Sequence, residues 1–160
     1  MLPHCRADNA FHLRGCTVSS CALESLFESK LAAFAAAQSP ALAVSFENKN
    51  FKPPQDAHYL RATLLLAPPR AAALGSDAPD YQRGVFQVDV MGLPNTGRAP
   101  RVIADLVAKE FKRGTKMVGT GANIGTDITC ESVQIAKPMS EDTRFKLPVS
   151  IVFYAYTKPA

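Results

Sequence analysis

The sequence predicts an α+β fold: a largely antiparallel or mixed sheet of four to five strands, two helices packed on one face, and a long hairpin loop. Three observations carry that expectation. Tyr59–Leu66 and 81–91 alternate apolar and polar residues with a period of two. Two other segments repeat apolar residues at helical spacing. The order along the chain is helix, strands, helix, strands, which favours segregated layers over a parallel βαβ sheet.

The elements follow in order. Residues 1–18 show no period of two or of 3.6 and read as an irregular extension outside the fold. Helical order begins near Ser20, with Ser19 or Ser20 as a cap and Glu24 expected in the first turn. Leu23, Leu26, Phe27, Leu31 and Phe34 fall on one face, and Ala32 to Ala37 favours helix until Pro40. Val44 to Asn48 is a short strand candidate. Pro53 and Pro54 impose an extended path.

In the strand Tyr59–Leu66, the residues Leu60, Ala62, Leu64 and Leu66 share one face. In the strand from Tyr81 to Met91, Phe86, Val88 and Val90 point inward and Gln87 and Asp89 outward. The 67–80 connection between them is rich in proline and longer than a tight hairpin needs; long loops are often functional or mobile. A second helix opens at Ala99 or Pro100, with Val102, Ile103, Leu106, Val107 and Phe111 as its buried stripe and Gly114 as its C-terminal cap. Met117-Val118 starts a strand, Gly119 to Gly125 turns it, and Ile128–Ile135 and Phe145–Tyr156 complete the sheet. No domain boundary interrupts residues 19–160, which read as one domain.

Composition narrows the function. The 160 residues are 47% hydrophobic and 20% charged, enough for an ordinary core. The net charge of +4 is mild and its lysines and arginines are scattered, so specific nucleic-acid recognition is not expected. No apolar run has the length of a membrane span. Cys5, Cys16, Cys21 and Cys130 form no C-x-x-C pair, and their pattern is not that of a secreted disulfide framework.

Motifs with possible chemistry fail one by one. Gly119-Thr120-Gly121-Ala122-Asn123-Ile124-Gly125 has its last glycine one position late for a dinucleotide loop, lacks the Lys-Ser/Thr of a P-loop, and leads into a strand. It reads as a turn. His4, Cys5, His12, Cys16 and Cys21 match no zinc spacing. Cys130, inside a strand, reads as a buried, inert thiol. A metal-dependent hydrolase or nuclease would have to gather Asp89, Glu110, Asp127 and Glu131, which no spacing requires. No cofactor, metal or catalytic residue is expected. A monomeric binding module would need an enclosed apolar pocket. The 67–80 loop, flanked by Arg70, Tyr81 and Arg83, is the best functional candidate, because Arg and Tyr anchor interfaces.

The residues Phe46-Glu47-Asn48, Phe51-x-Pro53-Pro54, Tyr59-Leu60-Arg61-Ala62, Leu74-Gly75, Tyr81-x-Arg83-Gly84-x-Phe86-Gln87-Val88-Asp89-Val90, Phe111-x-Arg113-Gly114-Thr115 and Pro148-Val149-Ser150-Ile151 occur in a recognisable order over about residues 22–157. In that order the chain resembles the tail-terminator (minor tail protein U-like, tail-completion) family of long-tailed phages and prophages. The resemblance implies a structural, non-enzymatic protein that forms a ring, sixfold in the well-known members. The ring caps the tail tube, stops its polymerisation and offers a surface to the head-completion protein. The implied partners are the chain itself, the tube protein and the head-completion protein, with no membrane. The implied location is the virion tail, and the host cytoplasm during assembly. A head–tail connector or tube-like subunit is the neighbouring alternative. By position, hairpin 67–83 and segment 112–125 are assigned to contacts, with Arg70, Leu74, Tyr81, Arg83, Lys112, Arg113 and Lys116 as the candidate assembly residues. A ring that depends on a loose loop gains little before the tube adds contacts, so the free protein is expected to be a monomer. Two features depart from the family: the extra residues 1–18, for which a native start at Val18 is one reading testable by intact mass, and Phe145-Lys146 before the last strand.

Overall fold

The computed structural model describes residues 20–75, 78–121, 124–141 and 143–157. Expectations for residues 1–18, for Ser19 and for Ala122-Asn123 fall outside them. The elements are α1 (Ser20–Ala36), β1 (Ala43–Ser45), β2 (Tyr59–Leu66), β3 (Arg70–Ala71), β4 (Asp80–Gly92), α2 (Ala99–Glu110), β5 (Lys116–Val118), β6 (Thr126–Ile135), β7 (Met139–Glu141) and β8 (Arg144–Thr157).

These strands form one mixed sheet of eight, in the order β1-β2-β4-β8-β6-β5, with β3 beside β4 and β7 beside β8. Only β1–β2 is parallel among the pairs. The expectation of four to five strands is corrected to eight. The additions β3 and β7 have two and three residues, too few to show a period. The α+β class holds. Helix α1 touches both β1 and β6, near opposite margins of the sheet, so the sheet curls around it.

The core is the inner face of that curl. Phe27 of α1 stacks on Phe86 with centroids 4.5 Å apart, and lies 4.7 Å from Phe153 and 6.3 Å from Phe111. All four rings are fully buried, and such offset aromatic contacts add to the area they remove from water. Leu23, Leu31 and Phe34 continue the α1 stripe, as the spacing predicts, with Leu26 partly buried beside them. The register places Phe86, Val88 and Val90 opposite Ile151, Val149 and Leu147 of β8, so alternation on the two longest strands supplies the middle of the core.

Glycine makes two close approaches possible. A Cβ on Gly84 would stand 2.6 Å from the Leu65 carbonyl oxygen and 2.7 Å from the Phe153 ring, the cross-strand neighbour of Gly84. A Cβ on Gly92 would meet Pro100 at 2.6 Å, so β4 ends against the first turn of α2.

Local expectations need correction at several points. Glu24 lies in the second turn of α1, because the helix starts at Ser20 and its first turn holds no acid. The strand expected at 44–48 stops at Ser45, where the chain enters a turn at Asn48 with φ of 52°. Leu66 is exposed rather than buried, at the end of β2. In α2, Val102 and Leu106 are exposed, at 55% and 39%. The helix docks instead through Pro100, Ala104 and Val107, with Ile103 partly covered and Phe111 buried just beyond its end. Its apolar stripe is wider than the contact it makes. Gly114 is not the cap of α2, which ends with Phe111 N–H donating to the Val107 carbonyl. Gly114 adopts φ of 84° further on and donates to the Cys130 carbonyl at 2.8 Å, tying the α2–β5 turn to β6. At the ends of the Gly119–Gly125 segment, Gly119 N–H donates to the Thr126 carbonyl at 2.8 Å and so joins β5 to β6.

Candidate assembly surface

Directly opposed residues of an antiparallel pair point to the same face. The outer, uncovered face of the sheet therefore carries Tyr81, Arg83, Val85, Gln87 and Asp89 from β4, opposite Tyr156, Tyr154, Val152, Ser150 and Pro148 from β8. Leu65 of β2, opposite Val85, joins this face and is 52% exposed. Among the described residues no helix lies over it, since the residues of α1 and α2 that pack on the sheet meet the Phe86 side.

The long connection of the β2–β4 hairpin stays beside β4, beyond the end of β2. Arg70 and Ala71 pair as β3 with Tyr81 and Asp80, and the Ala67 N–H donates to the Arg83 carbonyl at 2.9 Å. Gln82 donates through Nε2 to the Ala67 and Arg83 carbonyls, locking the hairpin base. The result is an open groove of about 410 Å³ lined by Pro68, Arg70, Tyr81, Arg83, Val85 and Val152, among others. Tyr81, Tyr154 and Tyr156 form an aromatic cluster beside it, with centroids 5.4 to 5.9 Å apart.

Arg83 is held in place from two strands away. The register between β6 and β8 shifts between Cys130 and Ser132, leaving Glu131 as an extra residue. Glu131 Oε2 accepts a 2.7 Å hydrogen bond from Arg83 Nη2. That bond, then the charge of Glu131, raises the Arg83 pKa further above its already high ordinary value, so the guanidinium stays charged.

The structure divides the seven sequence-derived residues into two places. Arg70, Tyr81 and Arg83 line the groove, and Leu74 stands fully exposed in the loop above it. Lys112, Arg113 and Lys116 are exposed on the α2–β5 turn. There Lys112 borders a second, wider depression of about 720 Å³ between the ends of α1 and α2, shared with Lys30, Lys109 and the exposed Leu106. Lys116 lies in the same cross-strand row as Thr129, Tyr154 and Arg83, at the far margin of the outer face. Sequence reasoning did not single out Leu65, Val85, Val152 or Tyr154, and it named Glu131 only as a carboxylate that a metal enzyme would need. Alternation could have placed Val85, Val152 and Tyr154 on an outer face; nothing in a single strand signals the bulge that brings in Glu131.

The carboxylates that a metal enzyme would need do not converge. Asp89 faces outward as predicted, yet it is only 3% exposed rather than solvated. It accepts hydrogen bonds from Arg61 Nη2 at 3.2 Å and Gln87 Nε2 at 2.8 Å, and pairs with Lys146 Nζ at 3.0 Å. Glu110 pairs with Lys30 at 2.5 Å, and Glu131 with Arg83. Among the described residues no group of three or more His, Cys, Asp or Glu side chains is arranged to hold a metal ion. Burial pushes the Cys130 thiol up to about 11, so it stays protonated and poorly nucleophilic at neutral pH. Among the described residues no helix is long and apolar enough to cross a membrane.

A sheet face that no described helix covers, with an arginine- and tyrosine-lined groove, and with Asp89, Glu110 and Glu131 held in separate ion pairs, describes a surface suited to contact. Comparison with known proteins gives the chain its family. A family model described as phage tail terminator protein matches residues 22–153, nearly the whole described fold. The chain belongs to the phage tail terminator family, and with it has a structural role in the assembly of the phage tail. A solved structure superposes with a TM-score of 0.71 at 26% identity, covering 90% of this chain and 100% of that one. No curated protein sequence matches.

Proposed function

We propose that this protein closes the phage tail as a ring of six identical subunits. The ring sits on the end of the tail tube, stops further addition of tube subunits and presents a surface for the head-completion protein. The match of the terminator family across residues 22–153 carries this reading. The outer face supports it, because it offers Tyr81, Tyr154, Arg70 and Arg83 for contact. In this reading the protein works by contact and not by catalysis. The groove at Arg70, Leu74, Tyr81 and Arg83 and the basic turn at Lys112, Arg113 and Lys116 are the two contact regions, and assembly takes place in the host cytoplasm before the ring enters the virion tail.

Deleting the gene from its phage tests the proposal. Lysates without the protein should contain overlong, headless tails, and expression of the protein from a plasmid should restore tails of uniform length joined to heads. Tails of normal length in the deletion would contradict it.

A further inference from the structure

The ring proposed above needs one surface of each subunit to fit a different surface of the next. We propose that the groove beneath β3 receives the Phe46-Glu47-Asn48 turn of a second copy of this chain, with Glu47 paired to Arg70. This inference rests on the ring reading.

The groove asks for a carboxylate beside apolar contact. Its floor includes Val85 and Val152, and the adjoining Leu65 of β2, opposite Val85, is 52% exposed. Of its two arginines, Arg83 already holds Glu131. Arg70 is exposed and has no ion-pair partner among the described residues. The strand edge next to it is also unpaired: β1 covers β2 only from Tyr59 to Arg61, and among the described residues the edge at Leu65 and Leu66 has no strand neighbour. Open apolar edges are templates for pairing with another chain.

The turn offers what the groove lacks. Asn48 takes φ of 52° there, and Lys49 folds back, with Nζ 2.6 Å from Glu28 Oε2 and 4.8 Å from the Phe46 ring centroid. The turn is thus pinned to α1 before any partner arrives, which lowers the entropy lost on docking. Glu47, between these anchors, is exposed and has no ion pair among the described residues.

The two surfaces do not overlap. The turn sits on the helix side of the sheet, beside Ala62, Leu64 and Phe86, whereas the groove opens on the outer face. One patch fitting a different patch is a heterologous contact, the kind that closes rings larger than a dimer.

Charge reversal tests the pairing. Purified wild type, Arg70→Glu, Glu47→Arg and the double variant are mixed with uncapped tail tubes, and the fraction of tubes bearing a ring is counted by negative-stain microscopy. Far-ultraviolet circular dichroism checks that each variant is folded. Each single reversal should raise the concentration needed for half-occupancy about tenfold or more, and the double variant should recover most of it, because opposite charges again face each other. Rings at wild-type concentration in both single variants would overturn the pairing and leave the ring reading intact. Losses in both that the double variant does not recover would also overturn it, since the turn would then not be the occupant of the groove. If wild type itself forms no ring, the ring reading fails and the inference with it.

Discussion

Arg83 and Glu131 meet across an intervening strand: Arg83 is on β4, Glu131 on β6, and β8 runs between them. The bulge at Cys130/Ser132 adds Glu131 to β6 between the partners of Phe153 and Val152, next along β8 from Tyr154, which faces Arg83. Both side chains are about half exposed, and exposed ion pairs contribute little to folding. Their role is to hold a guanidinium at the rim of the groove. Arg83→Ala and Glu131→Gln should therefore leave the melting temperature unchanged by circular dichroism while weakening ring formation on tubes. A large drop in melting temperature in either variant would make the pair a folding element instead.

Gly84 is a packing requirement. Any Cβ there strikes the Leu65 carbonyl and the Phe153 ring, and neither is free to retreat, because Leu65 is in β2 and Phe153 is fully buried. Overpacking of this kind costs about 1–3 kcal/mol. Gly84→Ala should lose that much in urea unfolding, with far-ultraviolet circular dichroism unchanged in native buffer. Wild-type stability in the variant would show that the strands separate more easily than the contacts imply.

Asp89 holds two cations at once. Removing its carboxylate leaves Arg61 and Lys146 facing each other at 35% and 17% side-chain exposure. The substitution removes a nearly buried carboxylate together with its charge-assisted hydrogen bonds, so Asp89→Ala should destabilise the fold by about 2 kcal/mol or more in chemical denaturation. A change within about 0.5 kcal/mol, the scatter of ordinary surface substitutions, would contradict that role.

His58 gives the fold a mild sensitivity to acid. Its Nδ1 accepts a 3.1 Å hydrogen bond from the Leu93 N–H, which requires an unprotonated nitrogen. Burial, then the charge of Arg144, lowers its pKa below 6.5. The folded state thus prefers the neutral ring. Its contribution is present above about pH 6.5 and is lost as pH falls from there through the depressed folded value. Urea unfolding at pH 8 and pH 5 should show a loss for wild type that is smaller in His58→Asn. Equal losses in the two proteins would assign the acid sensitivity elsewhere.

The parts of this fold that were legible in the sequence are those with a long period. The strands β2, β4 and β8 alternate over eight residues or more, and α1 repeats Leu23, Phe27, Leu31 and Phe34 on one face. The parts that were not legible depend on neighbours. Val102 and Leu106 look like core on α2 until the helix is seen to dock through Pro100, Ala104 and Val107 instead. Asp89 looks solvated until Arg61 and Lys146 arrive from the strands on either side. The groove was half visible: Arg70, Tyr81 and Arg83 mark themselves by type and by the loop they flank. Its floor of Val85 and Val152 and its clamp at Glu131 come from strand pairing and a bulge, which no single segment announces.

The most direct test of the terminator reading is negative-stain microscopy of the purified protein added to growing tail tubes made without a terminator. Growth should stop within the time of mixing, and each tube should show a single ring at one end, with lengths frozen at the moment of addition. Tubes that keep lengthening with bare ends would contradict the account.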